Sequence, residues 1–120
     1  MDIQLELEQM CQEVPGCRAS VIMNLDGMVV MRHVAEPGGV DDEVLLVELS
    51  SSVRQAIKAV ASVEGGELIE FSMSFDAGML VVRLLKDEHF IALLLDPPAL
   101  AGKGRYVLRN RSLGLINELF

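Results

Sequence analysis

Glu67-Leu68-Ile69-Glu70-Phe71-Ser72-Met73-Ser74-Phe75 decides how this chain folds. Ile69, Phe71, Met73 and Phe75 alternate with Glu70, Ser72 and Ser74, the period of a strand with one buried and one wet face. Two more strands follow, Met79 to Lys86 and His89 to Leu95, joined at Asp76-Ala77-Gly78 and Asp87-Glu88. Phe90-Ile91-Ala92-Leu93-Leu94-Leu95 has no polar face, so it must be covered on both sides and belongs at the centre of the sheet. The 67–75 strand then lies at an edge. Its core has no Lys, no Pro and one charge, so it lacks the usual protection against pairing with another strand. Ile69, Glu70, Phe71, Ser72, Met73 and Ser74 are therefore the candidate pairing edge.

Upstream the period changes. Ile3, Leu7, Met10, Cys11 and Val14 recur at helical spacing and Pro15-Gly16 ends the run, which predicts a helix from about Asp2 to Glu13. Ala19 to Leu25 and Met28 to His33 flank Asn24-Leu25-Asp26-Gly27 and read as a hairpin, because Asp-Gly accepts the positive φ such turns need. Val34 to Val40, containing Pro37-Gly38-Gly39, reads as a loop. Asp41 is placed to cap a second helix whose first turn carries Asp42 and Glu43, acids that suit the positive end of the helix dipole. That helix is expected to run to about Glu64 and to stop at Gly65-Gly66, where glycine supplies a left-handed cap residue.

On a helical wheel, Leu45, Leu46, Leu49, Val53, Ala56, Ile57, Val60 and Val63 fill one apolar arc, expected to face the sheet. The opposite ridge holds Val44, Glu48, Ser51, Gln55, Lys58 and Ser62, flanked by Val47 and Arg54. Its small serines and stray valines permit close approach of another helix, although a merely solvated face fits the same residues. After the meander, Asp96-Pro97-Pro98 breaks the chain and a last helix starts near Gly102, with Leu108, Leu115, Ile116 and Leu119 on one face. These elements compose one α/β domain over residues 1–120, three layers in the sense α/β/α. The five-stranded sheet is antiparallel and the order is α-β-β-α-β-β-β-α.

Composition narrows the function. The chain has 120 residues and is 51% apolar, slightly rich for a free-standing monomer, so some of that surface is expected to be covered by another subunit. Its N-terminus lacks a basic start followed by an apolar run, and no apolar run approaches the roughly 18 residues of a membrane span, which predicts a cytoplasmic protein. With 18 acidic against 10 basic residues the net charge is −8, the wrong sign for nucleic acid or an anionic membrane.

The chemically capable residues read blandly. Cys11 and Cys17 match neither redox nor zinc spacing and are expected to be reduced, semi-buried thiols. The seven methionines read as core filler. Asp41-Asp42-Glu43 reads as a helix cap rather than a cation site. His33 and His89 are far apart in sequence, and Ser50-Ser51-Ser52 sits mid-helix without the elbow a nucleophile needs. Gly102-Lys103-Gly104-Arg105 could hold an anion at a helix start, but its glycines do not form a phosphate loop with the Gly-Lys-Ser/Thr ending. No cofactor or metal is expected.

The order helix, hairpin, long helix, three-stranded meander, helix resembles the Roadblock family, which includes the dynein light chain Roadblock and bacterial MglB, on a profilin-like α/β/α frame. The resemblance is carried by Val14-Pro15-Gly16, Leu25-Asp26-Gly27, Gly66-Glu67-Leu68, Asp96-Pro97 and the Gly102-Lys103-Gly104-Arg105-Tyr106-Val107-Leu108-Arg109 run. It implies a homodimer in which the third strand pairs with its own copy and the second helices lie side by side. It further implies that those helices serve as a platform for a small Ras-like GTPase, here Val44, Val47, Glu48, Ser51, Arg54, Gln55 and Lys58. MglB-like members stimulate hydrolysis without an arginine finger, and none of Arg54, Arg83, Arg105, Arg109 and Arg111 is singled out for that role. The chain is expected to lack the C-terminal extension some bacterial members carry. A non-enzymatic GTPase regulator or scaffold is thus the first expectation. A small-molecule sensor, with a ligand between helix and sheet, is the second.

Overall fold

A computed structural model describes residues 2–36, 42–97 and 101–120. The elements are α1 (Ile3–Glu13), β1 (Cys17–Asn24), β2 (Val29–Val34), α2 (Asp42–Ser62), β3 (Glu70–Phe75), β4 (Gly78–Leu84), β5 (His89–Leu95) and α3 (Ala101–Leu119). The strands form one antiparallel sheet in the order β2-β1-β5-β4-β3. The all-apolar strand β5 is central and β3 is an edge, as the patterning predicts.

Local chemistry explains most boundaries. The Asp2 carboxylate accepts from the Leu5 N–H at 3.2 Å, satisfying one of the orphan donors at the start of α1. In the first hairpin, Gly27 N–H donates to the Asn24 carbonyl, and Asn24 Oδ1 accepts from the N–H groups of Asp26 and Met28. Only Gly27 takes a positive φ, +91°, so glycine alone supplies what Asp-Gly was expected to share. The proposed Asp41 cap, the Pro37-Gly38-Gly39 loop and Pro98 lie outside the described residues.

The end of α2 departs from expectation. The helix stops at Ser62, and the left-handed residue is Glu64, at φ 55°, rather than a glycine. Glu64 N–H donates to Ala61 O at 3.1 Å and Gly65 N–H to Val60 O at 2.9 Å, the paired bonds of a Schellman cap. Val63 consequently points into solvent, 76% exposed, instead of onto the sheet. The first meander strand also starts later than its sequence pattern: the ladder begins at Glu70, with Leu84 N–H still donating to Ile69 O.

Two apolar clusters sandwich the sheet. On one side Ile22, Val81, Ile91, Leu93 and Leu95 meet Leu7, Met10 and Cys11 of α1 and Val107, Leu108 and Leu115 of α3. On the other, Val21, Met23, Leu80, Val82, Phe90, Ala92 and Leu94 meet Leu46, Leu49 and Val53 of α2. Each Val, Leu, Ile, Phe or Met among them stabilises the fold by about 1.5–3 kcal/mol when fully buried, against typically about 1 kcal/mol for a helix cap. Arg111 ties α3 to α1 through Glu6 and Glu13, and the bond to Glu6 chiefly holds its pKa above the usual arginine value. At the opposite corner Arg18, 4% exposed, donates to Asp42 at 3.1 Å and approaches Asp96 at 3.4 Å, joining β1 to the start of α2 and the end of β5.

The layers are unequal. A five-stranded sheet is roughly 19 Å wide, and a helix covers about 10–12 Å. Two helices suffice for the first face, but α2 alone leaves both flanks of the second face open.

Candidate functional site

One open flank of the α2 face coincides with the residues singled out as a pairing edge. Phe71, Met73 and Phe75 pack against the α2-side cluster yet stay partly exposed, and Ile69 is 61% exposed on the same face. Ile69 is opposite Leu84 and accepts its N–H bond, so Phe71, Met73 and Phe75 also turn their backbone groups toward β4. By the same alternation the N–H and C=O groups of Glu70, Ser72 and Ser74 point outward. Among the described residues no strand covers them.

Glu70 does not guard this edge with charge. Its carboxylate accepts a 2.7 Å bond from Arg83, the residue directly opposite on β4, and Arg109 of α3 comes within 3.6 Å. This pairing is invisible in the alternating pattern, because Arg109 arrives from the far end of the chain.

The outer ridge of α2 lies beside the same face. Val44 and Val47 are 59% and 55% exposed, Glu48, Arg54, Gln55 and Lys58 are exposed, and Ser51 is half-buried. Arg54 is not loose on this ridge: its guanidinium donates to the Leu25 carbonyl of the first hairpin. Ser50 is buried beneath that hairpin, donating to the Val47 carbonyl at 2.7 Å.

Sequence reading missed the second flank. An open groove of about 380 Å³ runs between β2 and the start of α2, lined by Met23, Val29, Arg32, Glu43, Leu46 and Val47. Val34 is exposed close by. The absence of any clear polar face in Val29-Val30-Met31-Arg32-His33-Val34 was the available signal.

The remaining candidates are accounted for structurally. Asp42 and Glu43 are engaged by Arg18 and Arg32. Gly104 is turned onto the sheet, where a Cβ would make ordinary contact with Leu95, Val81 and Leu93 at 3.5–3.7 Å, so it does not face outward to cradle a phosphate. Lys103 lies over the Tyr106 ring. His89 rests against Phe120 with its Nδ1 2.6 Å from the Asp87 carbonyl oxygen, and no group of three metal-ligating side chains occurs among the described residues. Between the start of α2 and the sheet the space is about 20 Å³, far below the roughly 300 Å³ at which ligand pockets begin, whereas toward the other end of α2 an open cleft of about 520 Å³ lies between Ile57 and Ala61 and the turn that joins Leu84 to His89. No described helix is long and apolar enough to cross a membrane.

Helices on both faces of a five-stranded antiparallel sheet, in this connection order, define a profilin-like α/β/α domain. Acanthamoeba castellanii profilin II shares it at a TM-score of 0.63 and 11% identity, over 98% of each chain. Nearer still is a Roadblock/LC7 domain from Streptomyces avermitilis, with a TM-score of 0.83 and 20% identity over 99% of this chain and 98% of that one. Myxococcus xanthus MglB gives 0.84 at 10% identity, covering 99% and 95% of the two chains, and Myxococcus xanthus MglC gives 0.71 at 28% identity, covering 98% and 99%. The fold of this chain is thus similar to that of Roadblock/LC7 and MglB domains. No protein-family model matches it, and no curated protein matches it by sequence.

Proposed function

We propose that the 120-residue chain acts as one Roadblock-like domain, a cytoplasmic homodimer that regulates or scaffolds a small Ras-like GTPase without being an enzyme itself. The observation that carries this reading is the half-covered α2 face next to an edge strand whose outward backbone groups are unpaired. Pairing β3 with its own copy would satisfy those groups and bring a second α2 beside the first, covering Ile69, Phe71, Met73 and Phe75. A two-fold axis near Ser72 would set Glu70 opposite Ser74 of the copy rather than opposite Glu70.

The exposed ridges, with Val44, Val47, Glu48, Ser51, Arg54, Gln55 and Lys58 in each copy, would then form one continuous platform. Four of the five arginines considered as fingers, Arg54, Arg83, Arg109 and Arg111, are held by partners within the chain. This favours stimulation by selecting the catalytic arrangement of the GTPase's own residues, through tighter binding of that arrangement, over insertion of an arginine.

The test is single-turnover GTP hydrolysis by a cognate Ras-like GTPase, with and without the purified chain, alongside direct binding. Binding, with or without acceleration, supports the proposal, and acceleration separates a regulator from a scaffold. Neither binding nor a change in rate by a folded, dimeric chain overturns it.

A further inference from the structure

The Val14-Pro15-Gly16 turn brings together two side chains that partner binding does not use. Cys11, in the last turn of α1, and Cys17, the first residue of β1, are 5% and 8% exposed, and their sulfur atoms lie 2.7 Å apart. The backbone enforces the approach. Val14 N–H donates to Cys11 O, Cys17 N–H donates to Val14 O at 3.0 Å, and Gly16 at φ +87° closes the turn. A disulfide requires about 2.05 Å, so sulfur movement of less than an ångström would complete one. Both residues belong to the apolar cluster of the α1/α3 face, with Leu7, Met10 and Ile22 around them.

We propose that Cys11 and Cys17 form a dithiol site that small hydroperoxides convert to an intramolecular disulfide, tying the end of α1 to the head of β1. The Cys11 thiolate attacks one peroxide oxygen and the O–O bond breaks. The departing alkoxide takes a proton and leaves as alcohol, or as water from hydrogen peroxide, and Cys11 becomes a sulfenic acid. The Cys17 sulfur then attacks the Cys11 sulfur, the S–O bond breaks, and hydroxide leaves with the Cys17 proton as water. Overall two thiols lose two protons and two electrons, and the peroxide is reduced.

The roles follow from the surroundings. Hydrogen bonding with Cys17 holds the Cys11 thiol below its ordinary pKa against the effect of burial. The same bond and burial push the Cys17 thiol far up. Cys17 Sγ–H donates to the Ala19 carbonyl at 3.4 Å and keeps its proton there, so Cys11 is assigned as the attacking sulfur and Cys17 as the resolving one. In the cytoplasmic setting proposed above, on which this point rests, disulfides are typically transient and redox-sensing, which suits a reversible bond. It would clamp the α1/α3 layer and leave the α2 ridge uncovered.

The full-length chain is treated with hydrogen peroxide, quenched into denaturant with an alkylating reagent and weighed. Loss of both alkylation sites in a single chain, reversed by dithiothreitol, is expected, together with a higher urea midpoint for the oxidised chain. Cys17→Ala should accumulate a dimedone-reactive sulfenic acid at Cys11, and Cys11→Ala should not react at Cys17. Neither variant should show the peroxide-dependent rise in midpoint. Two alkylated cysteines in peroxide-treated wild type, or cross-links only between chains, would overturn the proposal.

Discussion

Arg83 donates a 2.7 Å hydrogen bond to Glu70 across the β3–β4 ladder and so removes the one charge of the edge strand from the edge. With the two-fold near Ser72, the two Glu70 carboxylates of a symmetric strand pairing would lie roughly 14 Å apart along the strands, so an unpaired charge there would repel its copy only weakly. Drawn sideways to Arg83, with Arg109 at 3.6 Å, it leaves the outward backbone groups of Glu70, Ser72 and Ser74 approachable.

Arg83→Met should therefore act twice. The partly exposed ion pair contributes about 1 kcal/mol or less to folding, which urea denaturation will read as a small loss. Dissociation of the proposed dimer should rise by up to about two-fold at low salt and recover at high salt, where Glu70 is screened. Sedimentation across ionic strengths checks this, and salt-independent weakening would rule out charge as the cause.

Ser72→Pro isolates the edge. The Ser72 N–H points outward, so proline removes a donor that β4 does not use, and edge strands tolerate proline. We expect loss of the proposed dimer by light scattering with the far-ultraviolet circular dichroism of the wild type retained. A dimer of unchanged affinity would exclude pairing through β3.

Arg18→Met should destabilise the fold by about 2–3 kcal/mol, because it leaves Asp42 and Asp96 facing each other without the cation between them. Both carboxylates retain some access to water, 21% and 45% of their side chains, which keeps the loss below that of a wholly buried pair. The unfolding midpoint in urea is the readout, and Asp42→Asn should partly offset the loss in the double variant.

Glu64→Gly should stabilise the chain by about 1 kcal/mol, since a left-handed φ of 55° costs a side-chain-bearing residue what glycine does not incur. The Schellman bonds to Val60 and Ala61 involve only backbone and remain. Gly66→Ala, at φ +86° with open space around its Cα, should lower stability through backbone strain alone. Both changes are read from urea midpoints.

The strands and their rank in the sheet were legible because the signals are short-range. Phe90 to Leu95 announces two covered faces, and the alternation from Ile69 to Phe75 announces one. The helix cap was legible only as a neighbourhood: Gly65-Gly66 marks the stop, but the frame in which α2 ends depends on how the chain enters β3, and that placed Glu64 in the left-handed position. Arg18 reads as a polar interruption at the start of a strand. Its role depends on Asp42 and Asp96, which converge from 24 and 78 residues away. The exposed ridge of α2 was legible as a face, but the groove beside β2 was not, because its walls come from separate elements.

By itself the sequence determined the elements, their order and which strand is central, since hydrophobic period and turn chemistry act over a few neighbouring residues. Only the tertiary structure decided that α1 and α3 share one face and leave α2 alone on the other. Helix width against sheet width makes that face incomplete. The partners of Glu70, Arg18 and Cys11 were likewise set by packing, because each meets its partner only when distant segments, or the two ends of a turn, are closed onto the sheet.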